Sequence, residues 1–191
     1  MLSEEINGFW AEEFGNALPV ASALKWKFQE RWFRIHTLPK SKRYPDSESE
    51  YEEILSRHNT VLEDLFDSEE KFILVSTSCS GDAEPIRSPK IEEMGLQQSF
   101  WQSIQVDEET PGETHCHVFI DFVRWKVGLL DALFRLVADD EISEVMLISV
   151  EGNFVYHPYD GGADLILKDS VRRDRYKQKY VHWLSVRPDG L

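Results

Sequence analysis

Val145-Met146-Leu147-Ile148-Ser149-Val150-Glu151-Gly152-Asn153-Phe154-Val155-Tyr156-His157-Pro158-Tyr159-Asp160-Gly161-Gly162-Ala163-Asp164-Leu165-Ile166-Leu167 is the stretch on which the fold class turns. Val145 to Val150 and Phe154 to Tyr156 are apolar and rich in β-branched and aromatic residues. They flank Gly152-Asn153, and a Gly-first two-residue link between such runs is a hairpin signal. Ala163 to Leu167 reads as another short strand. Between them lies a polar loop, Tyr156 to Asp164, in which Pro158 and Asp160 suit turns and Gly161 and Gly162 accept positive φ. Asp169 or Ser170 can cap a last helix, whose Tyr176, Tyr180, Trp183 and Leu184 form an aromatic stripe among Arg172, Arg173, Arg175, Lys177 and Lys179.

Working toward the N-terminus, Leu129, Leu130, Leu133, Phe134, Leu136 and Val137 predict a mostly apolar, well-buried helix. Phe100 to Val106 and Thr114 to Val123 predict an antiparallel strand pair with a turn at Pro111-Gly112. Residues 79–98 are loop-rich, and Phe72-Ile73-Leu74-Val75 is a strand covered on both faces. Tyr51, Ile54, Leu55, His58, Val61, Leu62, Leu65 and Phe66 recur at three- and four-residue steps, the clearest helix in the chain. Ser47 and Glu50 stand at capping-box spacing before it. Residues 24–38, with Trp26, Phe28, Trp32, Phe33 and Ile35 among basic residues, predict one or two strands. Leu2, Ile6, Phe9, Trp10 and Phe14 predict an amphipathic first helix. Strands clustered between helices, without regular βαβ alternation, make this an α+β chain. A mixed or largely antiparallel sheet with helices packed on it, in a single domain over 1–191, is the expected architecture.

The 191 residues are 41% hydrophobic and 12% aromatic, which supports a substantial core. No stretch approaches the roughly 20 apolar residues that span a bilayer, and Glu4 and Glu5 stand where a secretory leader would be basic and apolar. A cytoplasmic location is the simplest expectation. With no Cys-x-x-Cys, Cys79 and Cys116 read as free, buried thiols in a reducing compartment. The net charge of −14 would repel phosphates and anionic lipid, so neither nucleic acid nor membrane is an expected partner.

Several residues carry candidate chemistry. His157, Asp160 and Asp164 in the polar loop could supply a base and its orienter, the constellation of a hydrolytic or metal-assisted enzyme. The same residues could instead tie down a turn. His115 and His117, two apart on a strand, could share a metal if Asp121 or His36 supplied a third ligand, or could be ordinary strand residues. Cys79 in Ser78-Cys79-Ser80-Gly81 resembles a nucleophile at a strand end, an unspecific signal. Nucleophile-elbow, phosphate-loop, zinc-helix and dinucleotide motifs are all missing, and no cofactor is implied.

The charge pattern is more informative. From Asp46 to Glu70 ten acidic residues face a single basic one, Arg57, whereas the last helix is basic. The asymmetry could be internal, with the last helix lying on acidic ground. It could also be a working surface, in which Glu52, Glu53, Glu63 and Asp64 meet a basic protein partner.

The Arg31-Trp32-Phe33-Arg34-Ile35 strand, the Tyr51–Phe66 helix, Lys71–Val75 and the Tyr156–Asp164 turn before a helix bearing Tyr180 and Trp183 together resemble an uncharacterised bacterial domain family, a domain of unknown function. The resemblance implies a bacterial origin and a compact α+β domain. It transfers no catalytic residue. The functional expectation is an acidic binding protein, of the immunity or antidote type for a basic partner such as a nuclease toxin. The alternative is an enzyme with its site at the Tyr156–Asp164 loop.

Overall fold

The computed structural model describes residues 2–105, 114–187 and 189–190, with only the backbone of residues 2 and 3. Its elements are α1 (Leu2–Phe14), α2 (Ala21–Lys27), β1 (Trp32–His36), α3 (Glu48–Leu65), β2 (Lys71–Ser80), α4 (Pro89–Glu93), β3 (Ser99–Gln105), β4 (His115–Arg124), α5 (Asp131–Ala138), β5 (Val145–Ser149), β6 (Phe154–Tyr159), β7 (Gly162–Ile166) and α6 (Ser170–Lys179). The seven strands form one sheet of order β1-β7-β6-β5-β2-β4-β3, and every neighbouring pair is antiparallel. The α+β expectation holds, with an antiparallel rather than mixed sheet.

Side-chain alternation along the strands assigns two cores. Phe33, Phe72, Leu74, Leu147, Phe154, Tyr156 and Leu165 face α3, α5 and the Tyr180 end of α6. Ile73, Val75, Met146, Ile148, Val155 and Ile166 face α1 and α2. The continuous apolar runs of β2 and β5 follow directly from this sandwich, because each of their faces is covered.

Several local expectations change. Residues 21–27 are helical, because Ala21 and Leu24 bury a stripe at helical spacing and leave Trp26 60% exposed. The alternation of aromatic and charged residues there mimicked a strand. The β5–β6 link is residues 150–153, and its left-handed residue is Asn153 (φ 47°), not Gly152. The Ser149 hydroxyl accepts from the Gly152 N–H at 2.7 Å and closes it. Ser47 starts α3 without a side-chain cap, because its hydroxyl pairs with Ser49 while Glu50 accepts from Lys42 and the Asp46 N–H. Asp169 does cap α6, accepting from the Arg172 N–H at 2.7 Å. The Pro111-Gly112 turn and Val106 lie outside the described residues.

The largest correction concerns the cysteines. Cys79 and Cys116 are direct partners in the β2–β4 register, with Cα atoms 4.0 Å apart, and are joined as a disulfide. Neither is a free thiol and neither is a free nucleophile. They stand 37 positions apart in sequence, so only strand pairing brings them together.

Candidate functional site

The polar loop is itself a strand pair. β6 runs to Tyr159 and β7 begins at Gly162, so Asp160-Gly161 is a two-residue hairpin link. Neither Gly161 nor Gly162 adopts positive φ, against expectation. Gly162 is demanded by proximity instead. A Cβ there would lie 1.9 Å from the Ile35 carbonyl oxygen, because β1 crosses against it. Pro158 is tolerated because the β5–β6 ladder runs only from Ser149↔Phe154 to Leu147↔Tyr156 and leaves its β5 side without a ladder bond to make.

Register then places the side chains. Arg34, Asp164 and His157 form one rung across β1, β7 and β6. His36, Gly162 and Tyr159 form the next. His36 and Tyr159 flank a concave space beside the Asp160-Gly161 link. That space belongs to a cavity of about 470 Å³, closed by Ser22 and Lys25 of α2, Arg43, and the Asp140–Glu144 connection into β5. His157, Asp160 and Asp164 all line it, so the structure brings together the three residues of the enzyme reading.

The two carboxylates are heavily compensated. Arg34 grips Asp164 in a two-pronged bond at 2.7 and 2.8 Å, the Trp32 indole N–H donates to it at 2.9 Å, and Lys25 stands 3.7 Å away. Burial works to lower the Arg34 guanidinium, but the bond to Asp164 outweighs it and holds the group above its ordinary value. Arg43 pairs with Asp160 at 2.6 Å. His157 donates from Nδ1 to the Val145 carbonyl at 2.8 Å, which in the neutral ring leaves Nε2 as the acceptor. Two wall atoms, His36 Nε2 and the Tyr159 hydroxyl, are buried without a hydrogen-bond partner. Burial, reinforced by Arg34 and Arg57, pushes the His36 imidazole down, so it is neutral at pH 7. Burial pushes the Tyr159 phenol up, so it keeps its proton. The cavity thus offers a hydroxyl donor and imidazole acceptors between anchored ion pairs, a set suited to recognising a polar group.

Asp164→Asn tests how far the rung depends on charge. It leaves Arg34 and Lys25 without their carboxylate, and the expected cost is about 2 kcal/mol of unfolding free energy. Urea denaturation beside Asp160→Asn measures it. The Asp160 change should cost clearly less, because Arg43 is solvated whereas Arg34 is not.

His117 is not positioned as a ligand. Its Nε2 donates to the Asp82 carbonyl at 2.9 Å and its Nδ1 accepts from the Ser103 hydroxyl at 2.8 Å, so both nitrogens are used. The His115 ring lies parallel to it at 6.2 Å. His36 is on the edge strand at the far side of the sheet, and Asp121 is four residues along β4. Among the described residues no three His, Cys, Asp or Glu side chains converge as a metal site.

The four acidic residues of the partner reading divide into two pairs. Glu53 is bound by Arg57 at 2.6 Å. Asp64 takes the Tyr180 hydroxyl and Lys179, so the basic last helix does lie on acidic ground. Glu52 and Glu63 are exposed and have no cationic partner among the described residues.

Sequence reasoning missed Arg34, Arg43 and Lys25. The signal for Arg34 was present: period-two alternation in 32–36 puts Trp32, Arg34 and His36 on one face. Nothing local pointed to Lys25 or Arg43, which reach the cavity from other segments.

Comparison with known families fits this layout. The model for a domain of unknown function (DUF3885) matches residues 20–188. The chain belongs to that family. The match spans the aromatic-basic strand, α3 and the β6–β7 hairpin, so the elements of the resemblance all fall inside the DUF3885 domain. No curated protein and no solved structure matches the chain. Among the described residues of the DUF3885 domain and its flanks, no helix is long and apolar enough to cross a membrane.

Proposed function

We propose that this DUF3885 protein is a binding protein of the immunity or antidote type, which docks a basic protein such as a nuclease toxin on the solvent face of α3. One observation carries the reading. Glu52 and Glu63 are eleven residues apart on α3, about three helical turns, so both lie on one exposed stripe. Ser56 and Asn59 lie between them on that stripe, and among the described residues no cation is paired with either carboxylate. Unpaired carboxylates on a rigid helix attract a cationic surface from a distance and mimic the phosphates that a nuclease site is built to hold. Glu53 and Asp64 support the helix rather than the contact. A bacterial source and a cytoplasmic location are the expectations that go with this reading. The Cys79–Cys116 bond argues the other way on location, since structural disulfides persist in oxidising compartments.

The test uses a purified basic nuclease toxin as partner and measures association rate against salt. The rate should fall as salt rises, and a Glu52→Lys/Glu63→Lys double variant should associate about tenfold more slowly. A rate indifferent to both changes would remove the proposal.

A second reading is favoured by the cavity, in which His157, Asp160 and Asp164 meet His36 and Tyr159. There His157 Nε2 would act as the base of a hydrolytic reaction. Turnover of a simple ester that disappears in His157→Ala would move the assignment to it.

A further inference from the structure

A second concavity lies along the outer side of β1, the edge strand, and runs against the chain's overall charge. It has a volume of about 420 Å³, within the range of small-molecule sites. Its walls come from α2, β1, α6 and, beyond α6, Leu184, Ser185, Arg187, Asp189 and Gly190. Among the described residues five cations line it, Lys25, Arg34, Arg173, Lys177 and Arg187, with Asp189 as the one lining carboxylate. Arg187 pairs with Asp189 at 2.6 Å and Arg173 with Asp174 at 2.6 Å. Asp164 is shared between Arg34 and the more distant Lys25. Lys177 has no carboxylate partner among the described residues. Among the described residues, five cations against these three carboxylates leave two positive charges uncompensated in the groove of a protein whose net charge is −14.

The aromatic lining is equally specific. Trp26 is 60% exposed on the rim, where burial in the core would have been the cheaper use of an indole. Trp32 forms part of the floor. Its N–H is spent on Asp164, and its ring faces the backbone of Gly190, where an added Cβ would stand 3.6 Å away. Flat π-surfaces beside two spare positive charges match a ligand that carries a planar ring and a phosphate monoester, whose charge near neutral pH is between −1 and −2. The remote acidic surface does not prevent this, because its repulsion is screened beyond about 8 Å at physiological salt.

We propose that this groove binds a mononucleotide-like aromatic phosphate, with the ring against Trp26 and the phosphate on Lys177, the lining cation left without a carboxylate. The site is separate from the α3 face and stands or falls independently of the function proposed above.

The experiment titrates the full chain with adenosine 5′-monophosphate at low salt, following indole fluorescence and, in parallel, calorimetry. Saturable binding with quenching is expected. Trp26→Ala should abolish most of the quenching and weaken binding about tenfold, and Lys177→Glu should weaken it at least as much. Both residues are exposed, and circular dichroism confirms that the variants fold. Adenosine and inorganic phosphate separate the two halves of the ligand, and each should bind at least tenfold more weakly than the nucleotide. The absence of saturable binding, binding unchanged in both variants, or phosphate binding as tightly as the nucleotide would each overturn the proposal.

Discussion

Replacing Gly162 with alanine is expected to cost more than about 3 kcal/mol of stability, enough to leave a domain of ordinary stability marginally folded. The added methyl would sit 1.9 Å from the Ile35 carbonyl oxygen and 3.0 Å from the His36 Cα. Overpacking among side chains typically costs about 1–3 kcal/mol, because rotamers can shift. Here both obstructing atoms belong to the backbone of β1, and β1 cannot move without breaking its ladder to β7 from Trp32↔Ile166 to His36↔Gly162. That ladder also carries the Arg34–Asp164 rung, so the cavity should be lost together with the edge strand. Gly161→Ala is the matched control. Its methyl meets only side-chain atoms, Tyr159 Cε2 at 2.9 Å and Arg43 Cγ at 3.4 Å, which can give way. Urea denaturation should show a small shift for Gly161 and a large one for Gly162. Equal, small shifts would mean that β1 has room that the structure denies it.

The second large effect is acid sensitivity centred on His58. This imidazole is buried on α3, stacked on Phe134 at 4.4 Å, with its Nδ1 2.6 Å from the Tyr156 hydroxyl. Burial lowers its pKa from 6.5 to about 3. Above pH 6.5 the ring is neutral in folded and unfolded chains alike, and its contribution is fully present. As pH falls below 6.5 the unfolded chain takes up a proton that the folded chain refuses, so stability declines until pH reaches the folded value. The slope for one such group is about 1.4 kcal/mol per pH unit. Between pH 6.5 and 4.5 the expected loss is therefore roughly 2–3 kcal/mol. His36, also lowered by burial, acts in the same direction but is only half-buried. His58→Gln should accordingly flatten most of the slope in that window. A variant as acid-sensitive as the parent would transfer the effect to other groups. The carboxylates lowered by ion pairing, such as Glu48 and Glu50, act mainly below this range.

The reach of sequence reasoning followed the distance over which each feature is decided. α3, α5 and β2 were legible because helical periodicity and a doubly covered strand are written in consecutive residues. α2 was not, since seven residues with one exposed Trp imitate an alternating strand until Ala21 and Leu24 are seen against the sheet. The hairpin at Asp160-Gly161 was masked by its own polarity. Tyr159, Asp160 and Asp164 read as loop residues, although their neighbours Tyr156, Ala163 and Leu165 carry the inward alternation of two strands. His157, Asp160 and Asp164 were rightly grouped, because a tight link keeps them together whatever the rest of the chain does. What they face was beyond local reading, since Lys25 and Arg43 arrive from over 110 residues away in sequence.

By itself the sequence determined the class of the protein: an acidic α+β chain with a strongly patterned helix over Tyr51–Phe66 and a mixed or largely antiparallel sheet. These properties depend on composition and on periodicities of two and 3.6 residues, which any local segment expresses. Only the tertiary structure decided which charges are free. It paired Glu53 with Arg57 and Asp64 with Lys179, left Glu52 and Glu63 in solvent, joined Cys79 to Cys116, and gathered five cations beside Trp26 in a protein that repels anions overall. Electrostatic and covalent pairing act over a few ångströms in space and are blind to separation along the chain. The net charge could therefore be counted from the residues, but where it is cancelled and where it remains was settled by strand order and register.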